Sequence, residues 1–85
     1  RGVNHPSVAV DLNELALLYK DQGRADEAEP LFARALEILE KALGPDHLEV
    51  AQSLENLAGL HFAQGRTAQA QPLYDRALEI REKER

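Results

Sequence analysis

The chain has 85 residues, 44% apolar and 29% charged, with no cysteine and a formal net charge of −5. That length allows one small domain near the size where a single core barely suffices, and the lack of cysteine excludes disulfides and thiolate zinc sites. No Lys/Arg stripe exists, which argues against nucleic acid and anionic membrane surfaces, both of which need clustered positive charge. The longest apolar run, Leu15 to Tyr19, is far short of the ~20 residues that cross a bilayer. The chain opens on Arg1 rather than methionine and is expected to be a piece of a longer protein. Its expected location is cytoplasmic.

In chain order, Asn4 is the expected N-cap of a first helix, with Pro6 in the first turn where a missing N–H costs little. Over residues 6–22, Val8, Leu12, Leu15, Ala16 and Tyr19 fall on one helical face. Gly23 ends that helix as a C′ glycine, and Arg24-Ala25 form the turn. A second helix is predicted over 26–43, with Ala28, Leu31, Phe32, Ala35, Leu36, Ile38, Leu39 and Leu43 inward and a Glu37–Lys41 pair outside. Pro30 argues for a break at Glu29. The helix is nevertheless expected to continue, because Pro30 lies within roughly the first turn, where about one backbone bond is lost.

Gly44-Pro45-Asp46 ends helix two, and Asp46 with Glu49 has the form of a capping box for a third helix over 47–64. Val50, Leu54, Leu57, Ala58 and His61 face inward on it. Gly65-Arg66-Thr67 repeats the turn, with Thr67 as the expected cap of a fourth helix over 68–83. Ala70, Leu73, Tyr74, Ala77, Leu78 and Ile80 are its inward residues, and the charged run 81–85 is expected to fray. No stretch alternates with the period of a strand. The fold class is all-α.

The second half restates the first. Leu12-Asn13-Glu14-Leu15-Ala16 returns 42 positions later as Leu54-Glu55-Asn56-Leu57-Ala58. Gln22-Gly23-Arg24 returns as Gln64-Gly65-Arg66, and Arg34-Ala35-Leu36-Glu37-Ile38 as Arg76-Ala77-Leu78-Glu79-Ile80. Fixed-period self-similarity marks a stacked repeat, here residues 1–42 and 43–85 of one domain. Small residues (Ala16, Ala28, Ala35, Ala58, Ala70, Ala77) stand where helices approach, and large ones (Leu15, Tyr19, Phe32, Leu57, Tyr74) fill between. Two antiparallel hairpins stacked in parallel, an α-α superhelix, are predicted.

These residues resemble the tetratricopeptide repeat, in the 42-residue form of kinesin light chains. The pattern is Leu12, Leu15-Ala16, Tyr19, Gly23, Ala28, Phe32 and Ala35 in the first copy. In the second it is Leu54, Leu57-Ala58, His61, Gly65, Ala70, Tyr74 and Ala77. His61 departs from the aromatic at Tyr19, and Asn13-Glu14 and Glu55-Asn56 each keep half of the light chains' Asn-Asn.

The resemblance implies a concave groove, lined by the first helix of each repeat, that holds a partner's peptide. Carried over by position, its face is Val10, Asn13, Glu14, Leu17, Lys20 and Asp21, then Gln52, Glu55, Asn56, Gly59, Phe62 and Ala63. Asn13 and Asn56 suit a peptide backbone because a carboxamide donates and accepts at once; the plainer reading is a solvated helix face. Phe62, where the first copy has Lys20, marks a side-chain pocket, contact with a further helix, or simply a lone exposed aromatic. A basic clamp for a carboxylate is not supported, since Glu14 and Glu55 would repel it.

Other chemistry finds little support. His5 and His47 start their helices one repeat apart, too far apart to share a metal, and read as packing on the preceding linker. No nucleophile–base arrangement or phosphate loop is present, and Glu27 and Glu29 fit a helix dipole. No enzyme activity, metal or cofactor is implied. The first functional expectation is a scaffold binding a protein or peptide partner. The alternative is a structural segment that self-associates through exposed ends, Val8, Val10 and Leu18 at one and Leu73, Leu78 and Ile80 at the other. A regulatory module of a larger signalling enzyme is a distant third.

Overall fold

The computed structural model describes residues 5–83. Its elements are α1 (Pro6–Asp21), α2 (Ala25–Leu43), α3 (Leu48–Ala63) and α4 (Thr67–Lys83). α1 packs on α2 and α3 on α4 as antiparallel hairpins, and the α2–α3 contact stacks one hairpin on the other. The all-α stacked-hairpin expectation holds. No helix among the described residues is long and apolar enough to cross a membrane.

The two hairpin turns are the same device. Gly23 and Gly65 take φ of +77° and +78°, a left-handed conformation that costs a residue with a Cβ. Each lets the chain fold back on its helix. Arg24 N–H donates to the Tyr19 carbonyl at 2.8 Å and Gly23 N–H to Lys20 at 3.0 Å. Arg66 to His61 and Gly65 to Phe62 repeat these distances. The crossed pair is the Schellman closure, which satisfies two carbonyls the helix end would otherwise strand.

The helix starts differ from expectation. His5 and His47 are the N-caps of α1 and α3, each with extended backbone. Their Nδ1 atoms accept from Ser7 N–H at 3.1 Å and Glu49 N–H at 3.0 Å. An imidazole Nδ1 is as many bonds from Cα as an Asn or Asp side-chain oxygen, so it reaches the same orphan donor. The Asp46–Glu49 box therefore does not form, and Asp46 pairs with Lys83 instead. Asn4 lies outside the described residues. Thr67 is the first helical residue of α4 rather than its cap, and Ala25 is helical too, with Ala28 N–H bonded to the Arg24 carbonyl.

Because α2 starts at Ala25, Pro30 lies in its second turn rather than its first, and Pro72 sits likewise in α4. Neither can donate to the carbonyl four residues back, yet both helices continue, as expected. α4 stays helical through Arg81, Glu82 and Lys83 where fraying was expected. Arg81 is anchored on Glu55 by two bonds of 2.8 Å. Glu37 pairs with Arg34 at 3.6 Å, not with Lys41.

The six alanines expected at close approaches are all buried. One core cluster gathers Ile38, Leu39, Val50, Leu54 and Ile80 around Ala9, Ala35, Ala51 and Ala77. The other gathers Phe32, Leu57 and Leu60 around Ala16 and Ala28. Three residues expected inward are not: Leu15 is 40% exposed, Tyr74 40% and Leu78 56%. Their counterparts Leu57 and Phe32 are buried and Leu36 half-buried, because only those sit at the junction between hairpins. Ile80, expected at an open end, is buried.

Polar contacts key the junction. Arg76 meets Glu40 at 2.6 Å and Arg66 meets Glu29 at 3.4 Å, while Gln64 donates to Asp26 at 3.3 Å. Exposed pairs of this kind contribute up to about 1 kcal/mol each. The apolar contact supplies the stability and the pairs set the register.

Candidate peptide-binding groove

α1 and α3 are the leading helices of the two hairpins, one repeat apart and aligned. Between them lies a cavity of about 280 Å³ lined by Val10, Asn13, Glu14, Leu17, Leu39, Glu49, Gln52, Ser53 and Asn56. It brings together six of the carried-over residues, Val10, Asn13, Glu14, Leu17, Gln52 and Asn56. Val10, also expected at the open end, lies in the groove. Lys20, Glu55 and Phe62 are not among its lining residues.

Val10, Leu17 and Leu39 make the apolar part of the wall, with Val10 46% and Leu17 39% exposed. Among them stand polar atoms without a protein partner. The Asn13 Oδ1 and the Ser53 Oγ are buried and make no hydrogen bond, and Ser53 as a whole is 1% exposed.

Glu14 and Glu49 have no ion-pair partner among the described residues and leave the rim negative. Glu55 is different. Arg81 from α4 clasps its carboxylate at both oxygens. The hydrogen bonds, and then the charge attraction, raise the Arg81 guanidinium above its ordinary value. Glu55 is thereby taken up by a contact within the second hairpin.

Phe62 stands alone at 61% exposure near the end of α3, and Lys20 is half-buried at the same place on α1. His61, beside Phe62, is buried with Nε2 3.8 Å from Glu29. Its counterpart Tyr19 instead carries the Arg24 guanidinium 4.4 Å above its ring. The exchange follows from position, because His61 meets α2 and Tyr19 lies in the first hairpin.

Leu39, Glu49 and Ser53 were missed by position-matching. Leu39 enters from α2, and Ser53 replaces Asp11 of the first copy, so its small neutral side chain was the available signal. A second, open depression lies at the turns, lined by Arg24, Asp26, Glu27, Gln64 and Arg66. Arg24 and Glu27 pair with each other there, Asp26 accepts from Gln64, and Arg66 is held by Glu29 outside the depression. No group of three metal-ligating side chains converges among the described residues, and His5 and His47 act as caps.

No curated protein matches the chain. The family model described as the tetratricopeptide repeat matches residues 5–83, spanning all four helices and both Gly turns. The chain belongs to the tetratricopeptide repeat family.

Proposed function

We propose that this chain is a protein-interaction module that holds an extended peptide segment in the hollow between α1 and α3. The supporting observation is the cavity in which Asn13, Leu17, Gln52 and Asn56 meet Val10 and Leu39, with the Asn13 and Ser53 oxygens unpartnered. Carboxamides pair with a peptide backbone, and the apolar wall takes one side chain. The negative rim from Glu14 and Glu49 favours a neutral or basic segment over an acidic one. Phe62 extends the contact beyond the cavity. The 42-residue spacing supports a kinesin-light-chain-like subtype, from which Asn13-Glu14 and Glu55-Asn56 depart by keeping half of the Asn-Asn pattern.

Selection from a library of random peptides tests this reading. Selected peptides are expected to lose binding to Leu17→Glu and to weaken with Asn56→Ala, while circular dichroism stays unchanged. They are also expected to weaken with Phe62→Ala. Peptides that bind Leu17→Glu as well as the unaltered chain would place the site elsewhere. Unchanged binding by Phe62→Ala alone removes only that residue.

A further inference from the structure

We infer that a second copy of this chain docks head to tail, its α1 end against the α4 end of the first, repeating the junction already inside the molecule. The groove reading plays no part in this. At the internal junction α3 meets α2, burying Leu57 and Leu60 of the former and Phe32 of the latter. The counterparts of Leu57 and Leu60 are Leu15 and Leu18, 40% and 54% exposed. The counterparts of Phe32 and Leu36 are Tyr74 and Leu78, 40% and 56% exposed. One end carries an α3-like face and the other an α2-like face. Each is the shape the other end's counterpart already fits.

One ion pair of the junction repeats with shape. Glu40 of α2 meets Arg76 of α4 at 2.6 Å across the internal junction. The residues 42 positions away are Glu82 and Arg34. Glu82 has no ion-pair partner among the described residues, and Arg34 holds only Glu37 on its own helix at 3.6 Å. Stacking one copy on another by the internal screw sets Glu82 of the first opposite Arg34 of the second. The other junction contacts do not carry over, because the counterparts of Glu29 and Asp26 are Gln71 and Ala68, so the Glu82–Arg34 pair is the one that sets the register. Such an interface is heterologous, so it builds open rods or larger rings rather than two-fold dimers.

Light scattering on the 85-residue chain over a concentration series reads this directly. The mean mass is expected to rise from 9.5 kDa past that of two chains. Leu18→Glu and Leu78→Glu, both at exposed positions, are each expected to lower the association constant at least tenfold with helicity retained. Mixed together they pair through their intact ends and stop at two chains. Arg34→Glu sets two carboxylates face to face and lowers association about two- to fivefold; adding Glu82→Arg restores it. A chain that stays at 9.5 kDa while fully helical overturns the inference and leaves the groove untouched. If either end variant still dimerises alone, the contact is symmetric and head-to-tail docking is wrong. Association unmoved by Arg34→Glu overturns this register.

Discussion

Leu15 and Leu57 occupy one position in two copies of the same helix, yet Leu15 is 40% exposed and Leu57 8%. Leu57 faces α2 of the preceding hairpin, and Leu15 has no preceding hairpin among the described residues. Leu57→Ala is therefore expected to cost about 2–5 kcal/mol, the transfer of its methyls plus the cavity left behind. Leu15→Ala is expected to cost about 1 kcal/mol or less. Urea unfolding of the two variants with an unchanged m-value checks the contrast, and equal losses would mean that the junction does not order the core.

His47 closes the start of α3 through its Nδ1. His47→Ala strands the Glu49 N–H and is expected to lower stability by about 1 kcal/mol, the usual value of a lost N-cap. His47→Asn, whose oxygen sits at the same reach, is expected to recover most of it. A His47→Ala chain as stable as the original would show that Asp46 or water takes over the cap.

Gly59 lies mid-helix in α3, and a Cβ there would meet nothing nearer than the Tyr74 hydroxyl at 3.6 Å. Ordinary contact distance and a helical backbone leave only the entropy of glycine to remove. Gly59→Ala is expected to raise stability by about 0.5–1 kcal/mol, read as a higher midpoint in thermal unfolding. A lower midpoint would mean that Tyr74 cannot yield.

Arg24 holds the Glu27 carboxyl below its ordinary value, chiefly by hydrogen bonding and secondarily by charge attraction. A lowered folded value means that the pair's contribution is complete above the ordinary carboxylate range. It is lost as pH falls through the lowered value. Carboxyl NMR titration is expected to show Glu27 with the depressed midpoint, and Arg24→Ala to return it to the ordinary one. Both groups are exposed, so the effect on global stability is small.

Much of this molecule is legible in one dimension. The 42-residue recurrence predicts the hairpins, the two Gly-Arg turns and the six alanines at helix crossings, and all stand where the pattern puts them. Pro30 and Pro72 show why the repeat outranked the local rule: a proline at the same place twice belongs to the helix. The caps were misread because Asp and Thr have stronger cap statistics than His, and only backbone geometry shows whose atom reaches the orphan N–H.

The groove was legible in part. Asn13, Leu17, Gln52 and Asn56 meet in one cavity because the helical period places them on one face. Leu39 and Ser53 join them because the hairpins cross at an angle that no spacing records. The chain by itself determined the elements and their order, since periodicity and turn chemistry are local. Only the tertiary structure decided which copy of each residue is covered. Leu15 and Leu57, or Phe32 and Tyr74, are alike in sequence and differ because burial depends on a neighbour in space.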